Sequence, residues 1–254
     1  MSSRIRPATF LLVSALFMGL FLVVSCSGRY DFVLRPDGSA DLAFSASLEP
    51  QTARLVTNLA SFAREGGAAS EPLLDAARLA ASLGSSASVS SISLRNPDMR
   101  SVAGTMKVTD LERFLADPSP ENKAGSSISA NRFVRIERSS SGGRIFLSLD
   151  RRSGAALLGN LSPDIFDYVS ALLAPVATGE DLGTAAYLAL VESMYGKGVA
   201  SEIAAAGIRA SVELPGEAVS ARGGTVRGRK VDFSLPLVDL LVLERPIELE
   251  ATWK

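Results

Sequence analysis

Apolar residues recur at every second position in two stretches near the start of the chain, residues 30–34 and 42–46. This period is typical of β-strands with one buried face. Between the two stretches, Pro36-Asp37-Gly38 supplies residues that favour tight turns. The pattern therefore predicts a β-hairpin that begins near Arg29.

A helical period follows over residues 50–83. Leu55, Leu59 and Phe62 are spaced so that they share one helical face, and Gly66-Gly67 is expected to end this helix. Ser70-Glu71-Pro72 resembles a helix cap followed by proline in the first turn. A second helix is therefore expected from this point, with an apolar stripe over residues 76–83.

The middle of the chain predicts four further strands. Apolar and β-branched residues over 89–94 and 102–108 favour two strands, separated by the turn Asn96-Pro97-Asp98. Thr109 and Glu112 have the spacing of a capping box, which predicts a short helix ending by Asp117-Pro118. Two more strands are expected near residues 129–138 and 143–150, after a polar loop over 117–127.

Residues 152–206 predict a helical block. Ser162-Pro163-Asp164 combines a cap, a proline at the first helical position and an acid in the first turn. A second helix is expected from about Asp181 to Tyr195, where Gly196-Lys197-Gly198 ends it, and a short third helix up to Ala206. Alternating patterns over 208–214, 231–235 and 247–253 then predict strands up to the C-terminus.

The order of these elements predicts an α+β fold in which a mainly antiparallel β-sheet packs against helices. Adjacent strands favour antiparallel pairing, and helices grouped into blocks are typical of this class. Because strands flank the block at about 152–206 on both sides, we interpret it as an insertion into one domain spanning 26–254. A separate helical domain is the alternative.

The first 25 residues have the three parts of a secretory signal peptide. Arg4 and Arg6 precede an uncharged apolar run, which ends at small residues and the chain's one cysteine. Val23-Val24-Ser25-Cys26 resembles the bacterial lipobox. That resemblance implies cleavage before Cys26, a diacylglycerol group on its sulfur and a fatty acyl group such as palmitate on its new amino terminus. An uncleaved membrane anchor is the alternative, because a spanning helix needs roughly 17–25 apolar residues.

Composition excludes several kinds of chemistry. The sequence contains no histidine and one cysteine, so histidine-based triads and zinc sites are excluded, and acylation of Cys26 would leave no thiol for disulfides. We therefore expect no catalytic residues, no cofactor and no metal site. Lys and Arg total 26 against 27 acids, and loss of Arg4 and Arg6 would leave a net charge of about −3. Nucleic-acid binding is not expected from such a charge, because nucleic-acid-binding domains are usually basic.

Paired acids and clustered arginines are the remaining polar candidates. The acid pairs are Asp164 with Asp167, Glu180 with Asp181, and Glu248 with Glu250. Two carboxylates can perform acid–base catalysis, but positions at a helix start and on a solvent-facing strand favour structural roles. The arginine clusters are Arg132, Arg135 and Arg138, and Arg222, Arg227 and Arg229. They could hold a phospholipid head group, although a solvated strand face is the favoured interpretation.

Residues 185–191 are apolar on nearly every side of the predicted helix, and Leu172-Leu173-Ala174 is similar. A helix of this kind is buried or borders an apolar space. A packed core between helices and sheet is the favoured interpretation. The alternative is a cleft that accepts an acyl chain, since ligand pockets are concave and mostly apolar.

Two parts of the sequence resemble LppM-type bacterial lipoproteins. The first is Cys26 followed by Arg35-Pro36-Asp37-Gly38-Ser39-Ala40-Asp41, and the second is Val212-Glu213-Leu214-Pro215-Gly216 with Gly223-Gly224 and the strand at 231–235. The helical block is not matched. The resemblance implies an α+β domain at a membrane, with lipid or glycolipid binding as a further expectation. It implies no catalytic residue.

Together these observations lead to two hypotheses. The first is a lipid-anchored protein of the bacterial cell envelope, outside the cytoplasm, whose domain binds an apolar or lipid-like ligand or a partner protein. The second is a structural or assembly lipoprotein that acts only through protein contacts. In both, the lipidation site is Cys26 and the anchor holds the chain at a membrane.

Overall fold

The computed structural model of the protein describes residues 26–63, 72–84, 86–116, 133–158, 170, 172 and 174–254. The strands are β1 Cys26–Leu34, β2 Ala40–Leu48, β3 Val89–Arg95, β4 Ser101–Val108, β5 Val134–Ser139, β6 Gly142–Leu149, β7 Gly207–Glu213, β8 Ala218–Arg222, β9 Gly224–Arg227, β10 Lys230–Pro236 and β11 Ile247–Trp253. The helices are α1 Pro50–Ala63, α2 Ala76–Leu83, α3 Leu111–Ala116, α4 Arg151–Leu158, α5 Pro175–Thr178, α6 Thr184–Tyr195, α7 Lys197–Ala205 and α8 Leu237–Val242.

The predicted hairpin is confirmed as β1 and β2. Its turn is held by an ion pair between Arg35 and Asp41 and by Asp37 Oδ1, which accepts hydrogen bonds from the Ser39 amide at 2.9 Å and hydroxyl at 2.7 Å. Gly38 has φ +93°, a conformation that favours glycine. The segment that resembles the LppM-type lipoproteins is thus a turn whose residues bond to one another.

A seven-stranded sheet with the order β3-β4-β2-β1-β7-β10-β9 forms the larger part of the fold. Its pairs are antiparallel except for β1 and β7, which run parallel. One face is apolar and buried, with Tyr30 and Phe32 in β1 and Val212 in β7. The opposite face is polar and carries Arg29, Asp31 and other side chains that water reaches.

A four-stranded antiparallel sheet with the order β5-β6-β11-β8 completes the strand structure. β11 lies at its centre, between β6 and β8. Ala251 and Trp253 of β11 and Leu149 of β6 belong to the buried core. The α+β class is confirmed, and the helical block α4 to α7 lies between β6 and β7 in the chain. The single-domain boundary at 26–254 stays a prediction.

Two predicted helix starts are wrong. The helix expected after Ser70-Glu71-Pro72 begins at Ala76, because Asp75 Oδ1 accepts hydrogen bonds from the amides of Ala77 at 2.8 Å and Arg78 at 3.1 Å. In α3 the cap is Asp110, whose carboxylate accepts from the Arg113 amide at 2.9 Å. Thr109 instead donates its hydroxyl to the Ser88 carbonyl at 3.1 Å. A carboxylate close to the first turn was therefore preferred in both helices.

Other expectations concern residues that the structure does not describe. The start at Ser162-Pro163-Asp164, the glycines at 66–67 and the loop at 117–127 lie outside the described residues, as do Ser70 and Glu71 themselves. So do residues 129–132 of the first predicted strand in that region and Leu173 of the apolar segment 172–174. The described part of that strand, β5, begins at Val134.

The apolar helix at 185–191 is less buried than expected. α6 begins at Thr184, and its buried residues are Tyr187 and Val191. Ala185, Ala186 and Ala189 are exposed, and 57% of Met194 is accessible to solvent. Tyr187 and Val191 belong to the packed core between helices and sheet, while α6 presents small apolar side chains to solvent on its other face.

A short helix that the pattern did not predict, α8, follows β10 directly. Leu237, Leu241 and Val242 are completely buried, and Pro236 precedes the helix at its N-cap position. α8 ends at Leu243, which has φ +48° and is the one residue other than glycine with positive φ among the described residues. Leu243 is 4% exposed, so burial of its side chain holds it in an unfavourable backbone conformation.

Candidate functional site

Cys26 is the first residue of β1 and pairs with Leu48 at the end of β2. The next residue, Ser27, donates its hydroxyl to Glu49 Oε1 at 3.1 Å. β1 is an internal strand between β2 and β7. The predicted lipidation site is thus built into the end of the larger sheet, and no flexible linker separates it from the fold.

The β3–β4 turn lies at the same end of the sheet as Cys26. Arg100 and Leu48 exchange two hydrogen bonds: the Leu48 amide donates to the Arg100 carbonyl at 2.9 Å, and the Arg100 guanidinium donates to the Leu48 carbonyl at 3.3 Å. Met99, next to Arg100, is 47% exposed. This end therefore combines the cysteine with an exposed thioether side chain and a cation.

The predicted arginine clusters do not form one site. Three of their members make ion pairs: Arg138 with Glu112 at 3.5 Å, Arg222 with Glu248 at 2.8 Å, and Arg227 with Asp232 at 3.4 Å. Arg229 donates to the carbonyl oxygens of Leu214 and Pro215 at 3.0 and 3.1 Å. Arg135 is exposed on β5, and Arg132 lies outside the described residues. Most of these side chains therefore hold the fold together.

The predicted acid pairs are not brought together either. Asp181 pairs with Arg151 at 2.6 Å, and Glu180 is exposed. Glu250 pairs with Arg144 at 3.7 Å, while its predicted partner Glu248 pairs with Arg222. Asp164 and Asp167 lie outside the described residues. Three of the four acids that can be described, Asp181, Glu248 and Glu250, are ion-pair partners of arginines.

Gly196-Lys197-Gly198 is confirmed as the end of α6. Gly196 has φ +89° and donates its amide to the Glu192 carbonyl at 2.9 Å. The same glycine precedes α7, so the segment links two helices. Gly198 lies against the side chain of Gln51 at the start of α1, where a Cβ atom would approach the amide group to 2.6 Å.

A polar cleft of about 330 Å³ lies where α6 begins and α8 ends. Its lining residues are Thr184, Asp239, Glu244, Arg245, Pro246 and Ile247. Most of them are polar or charged, so this cleft differs from the apolar pocket predicted for an acyl chain. The strained Leu243 directly precedes Glu244 and sets the direction of the chain along this cleft.

The two carboxyl groups of this cleft have opposite electrostatic environments. Glu244 Oε2 accepts a hydrogen bond from the Thr184 amide at 2.9 Å, and this bond holds the pKa of Glu244 below its usual value. Burial raises the pKa of Asp239, and the negative charge of Glu244 raises it further. Glu244 thereby caps the N-terminus of α6, where the helix dipole favours a negative charge.

Arg151 from α4 connects this cleft to the helical block. It pairs with Asp181 and donates to the Leu182 carbonyl at 3.4 Å. Its positive charge is one of the causes that lower the pKa of Glu244. Among the described residues, no group of three Asp, Glu or Cys side chains could hold a metal ion.

Several residues of these regions were not recognised in the sequence. Glu202 and Glu244 cap helices that lie far from them in the chain, and Asp239 belongs to the unpredicted helix α8. Glu202 of α7 accepts hydrogen bonds from the amides of Gln51 at 2.9 Å and Thr52 at 2.8 Å, at the start of α1. No local pattern identifies such a cap, because its partner is about 150 residues away. The apolar run at 237–242 was a signal for α8, but short apolar runs do not distinguish helix from strand.

Within the described residues, which begin at Cys26, no helix is both long enough and apolar enough to span a bilayer.

No protein-family model and no curated protein sequence matches this chain. Among solved structures, the chain is similar to the NMR structure of the folded domain of the LppM protein from Mycobacterium tuberculosis. The two are 12% identical, the match covers 91% of this chain and 90% of that chain, and the TM-score is 0.38. The lipobox is not tested by this comparison, and cleavage and acylation stay predictions.

Proposed function

We propose that this chain is a lipoprotein of the bacterial cell envelope, anchored to a membrane through Cys26 on its extracytoplasmic side. The observation that carries the proposal is the lipobox-like segment ending at the chain's one cysteine, after a basic and then apolar stretch. The position of Cys26 is compatible with this role, because Cys26 is the first residue of β1 and a lipid attached there would hold the larger sheet at the membrane.

Mass spectrometry of the N-terminal peptide from the full chain expressed in a bacterium tests the anchor. We expect the peptide to start at Cys26 and to carry the mass of a diacylglycerol and an acyl group. Cys26→Ser is the matched control, since it removes the sulfur and should leave the signal peptide attached. A wild-type peptide that retains residues 1–25, with a free thiol, would contradict the proposal and favour the uncleaved anchor.

The folded domain is proposed to act by binding. A partner protein is the occupant that one observation favours, because α6 presents Ala185, Ala186 and Ala189 to solvent on one side of the helix. Exposed apolar strips are typical of surfaces that contact other proteins. An apolar or lipid-like ligand is the second candidate, motivated by the resemblance of the sequence to LppM-type lipoproteins.

The two candidates differ in what purifies with the protein. Native mass spectrometry of the full chain extracted from membranes would detect a bound lipid as an added mass. Crosslinking in cells would detect a partner protein, and Ala189→Glu should abolish that crosslink if α6 is the contact. Ser201→Glu on α7 is the control, because this residue is exposed and lies on a different helix. A bound lipid whose retention is unaffected by Ala189→Glu would favour the ligand over the partner protein.

The proposed function includes no catalytic step. The absence of histidine and of any thiol besides Cys26 supports this. Of the two carboxylates that line the polar cleft, Asp239 and Glu244, Glu244 has a structural role because it caps α6. Neither a cofactor nor nucleic acid is part of the proposal.

A further inference from the structure

Three arginines lie in one cross-strand row on the polar face of the seven-stranded sheet. Parallel pairing of β1 with β7 places Arg29 directly beside Arg209. On the other side of Arg29, the register passes through Ser45 of β2 and Ala103 of β4 to Arg95 of β3. We call Arg95, Arg29 and Arg209 the arginine row. It extends over four strand spacings, which is roughly 19 Å.

The charges of this row are only partly compensated. Arg29 is bonded to Asp31 at 3.0 Å, its side chain is 73% exposed, and Asp232 also lies near enough to raise its pKa. Arg95 and Arg209 are exposed and make no ion pair with any described residue. Like charges placed side by side on adjacent strands destabilise a sheet. An anion bound over the row would therefore offset a repulsion that the fold itself leaves.

The row lies close to the proposed anchor. Arg29 follows Cys26 by three residues in the same strand, a distance of about 10 Å along β1. That is about one Debye length at physiological ionic strength, so the field of a charged surface at Cys26 reaches the row reduced to roughly a third and should act on it more strongly at low salt. The exposed Met99 and the cation of Arg100 lie at the same end of the sheet.

We propose that the arginine row binds the phosphate-bearing head groups of the membrane in which the chain is anchored. The domain then lies with the polar face of the larger sheet towards the lipid, and its helices face away from the membrane. This inference rests on the proposed anchor at Cys26, because the anchor is what holds the row near lipid. Arginine suits the role, since its planar guanidinium forms paired hydrogen bonds with phosphate oxygens.

A fluorescent label within the row tests this orientation. The full chain carrying Ser45→Cys is labelled with a thiol-reactive fluorophore and reconstituted into vesicles that contain head-group quencher lipids. Ser45 is exposed and pairs with Arg29, so the label reports contact of the row with head groups. We expect strong quenching in phosphatidylglycerol vesicles, weak quenching in phosphatidylcholine vesicles, and loss of the difference at high salt.

Neutralising the row should remove this difference. Each cation near an anionic surface changes the binding constant roughly five-fold, so three change the ratio of docked to free domain about 100-fold. Arg29→Gln, Arg95→Gln and Arg209→Gln together are expected to lower quenching in phosphatidylglycerol to the phosphatidylcholine level. The matching triple replacement by Lys keeps the charges and should retain most of the quenching. Circular dichroism establishes that each variant is folded.

The matched control removes three cations from the same face, farther from Cys26. Lys107→Gln, Arg227→Gln and Lys230→Gln change the net charge equally but should lower quenching much less, because Arg227 and Lys230 are paired with Asp232 and Glu213. Equal quenching in both kinds of vesicle, or an equal loss in this control, would overturn the inference. Failure of the anchor is recognised separately, because an unacylated Cys26 would take up a second fluorophore.

Discussion

At the scale of single residues, the most unusual feature is the backbone of Leu243. Left-handed backbone conformations cost a residue other than glycine roughly 1–2 kcal/mol. Leu243 adopts one at φ +48° while its side chain is 4% exposed and packs against Gly154 of α4. The burial of this leucine therefore offsets the strain of turning the chain from α8 into the cleft that contains Glu244.

Replacements of Leu243 should reverse the usual order of stability, in which an alanine variant is more stable than a glycine variant. Leu243→Ala is expected to lower the free energy of unfolding by about 2–4 kcal/mol, because it opens a cavity and keeps the strain. Leu243→Gly opens a similar cavity but relieves the strain, so it should be at least as stable as the alanine variant. Denaturant unfolding measures both.

A helix position with ordinary backbone geometry serves as the control. At Ala200, within α7, glycine should be less stable than the native alanine by about 1 kcal/mol, since glycine disfavours helix. Leu243→Gly less stable than Leu243→Ala by a similar amount would show that the backbone at Leu243 is unstrained.

At the scale of elements, two helices receive their caps from distant parts of the chain. α1 is capped by Glu202 of α7, and α6 is capped by Glu244. The first four amides of a helix have no partner within the helix, and acids near this end also interact favourably with the helix dipole. These contacts join the helical block to elements that precede and follow it.

Glu202→Ala should destabilise the protein by about 2 kcal/mol, because Thr52 is fully buried and would lose the partner of its amide and hydroxyl. Glu192→Ala is the matched control on α6, where the glutamate side chain is exposed. That control should change stability by less than about 0.5 kcal/mol. Chemical denaturation distinguishes the two, and equal effects would show that Glu202 contributes no more than a surface acid.

Glu244 should make stability depend on pH. Its pKa in the folded protein is lowered, chiefly by the Thr184 amide, so its contribution is present above its ordinary pKa and is lost as pH falls through the folded value. Glu244→Gln should therefore melt below the wild type at neutral pH, and the difference should disappear in acid. Asp239 has a raised pKa in the folded protein, so its contribution to stability is present at low pH and is lost as the pH rises.

Melting temperatures of wild type and Glu244→Gln across the acidic range test this. Glu192→Gln is the control for removal of an exposed carboxylate from the same helix. A Glu244→Gln difference that stays constant from neutral to acidic pH would mean that the carboxylate charge does not stabilise α6.

The sequence predicted individual elements better than their ends. Alternation identified β1, β2 and β7, since each buries every second side chain. Helix starts were placed wrongly at Ser70-Glu71-Pro72 and Thr109 because several residues nearby could act as caps, and tertiary contacts decided between them. For Thr109, the hydroxyl was taken by the Ser88 carbonyl of the neighbouring chain segment.

At the scale of the whole molecule, each sheet contains neighbouring strands that are distant in sequence. β1 pairs with β7, and β6 pairs with β11 at the C-terminus. No local pattern contains this information, so the arginine row could not be predicted from the sequence. Cys26 could be predicted, because a lipobox is read within a few neighbouring residues.

The contact of β6 with β11 gives a prediction about closure of the smaller sheet. A Cβ atom at Gly143 would collide with the indole of Trp253 and lie 2.7 Å from the Glu137 carbonyl. Gly143→Ala should therefore cost about 1–3 kcal/mol through overpacking. In a double-mutant cycle with Trp253→Phe, the combined loss should be smaller than the sum of the single losses, since the shorter ring leaves room. Strict additivity would show that the two residues do not compete for space.

The absence of a linker at Cys26 gives a prediction about the orientation of the molecule. Cys26 belongs to β1, so movement of the anchored domain relative to the membrane is restricted by the sheet itself. Insertion of ten Gly and Ser residues after Cys26 should free it, because such a linker spans about 17–19 Å on average.

We expect the thermal stability to be unchanged, since only the last pair of β1 with β2 is affected. Fluorescence anisotropy of a label at Ser45 should fall in phosphatidylcholine vesicles, where the arginine row is not expected to dock, and this fall reports faster tumbling of the domain. The same insertion between Ser3 and Arg4 is the control, because it leaves the lipobox intact and would be removed with the signal peptide. Unchanged anisotropy after insertion on the C-terminal side would show that lipid contacts, rather than the direct attachment of β1, hold the domain in place.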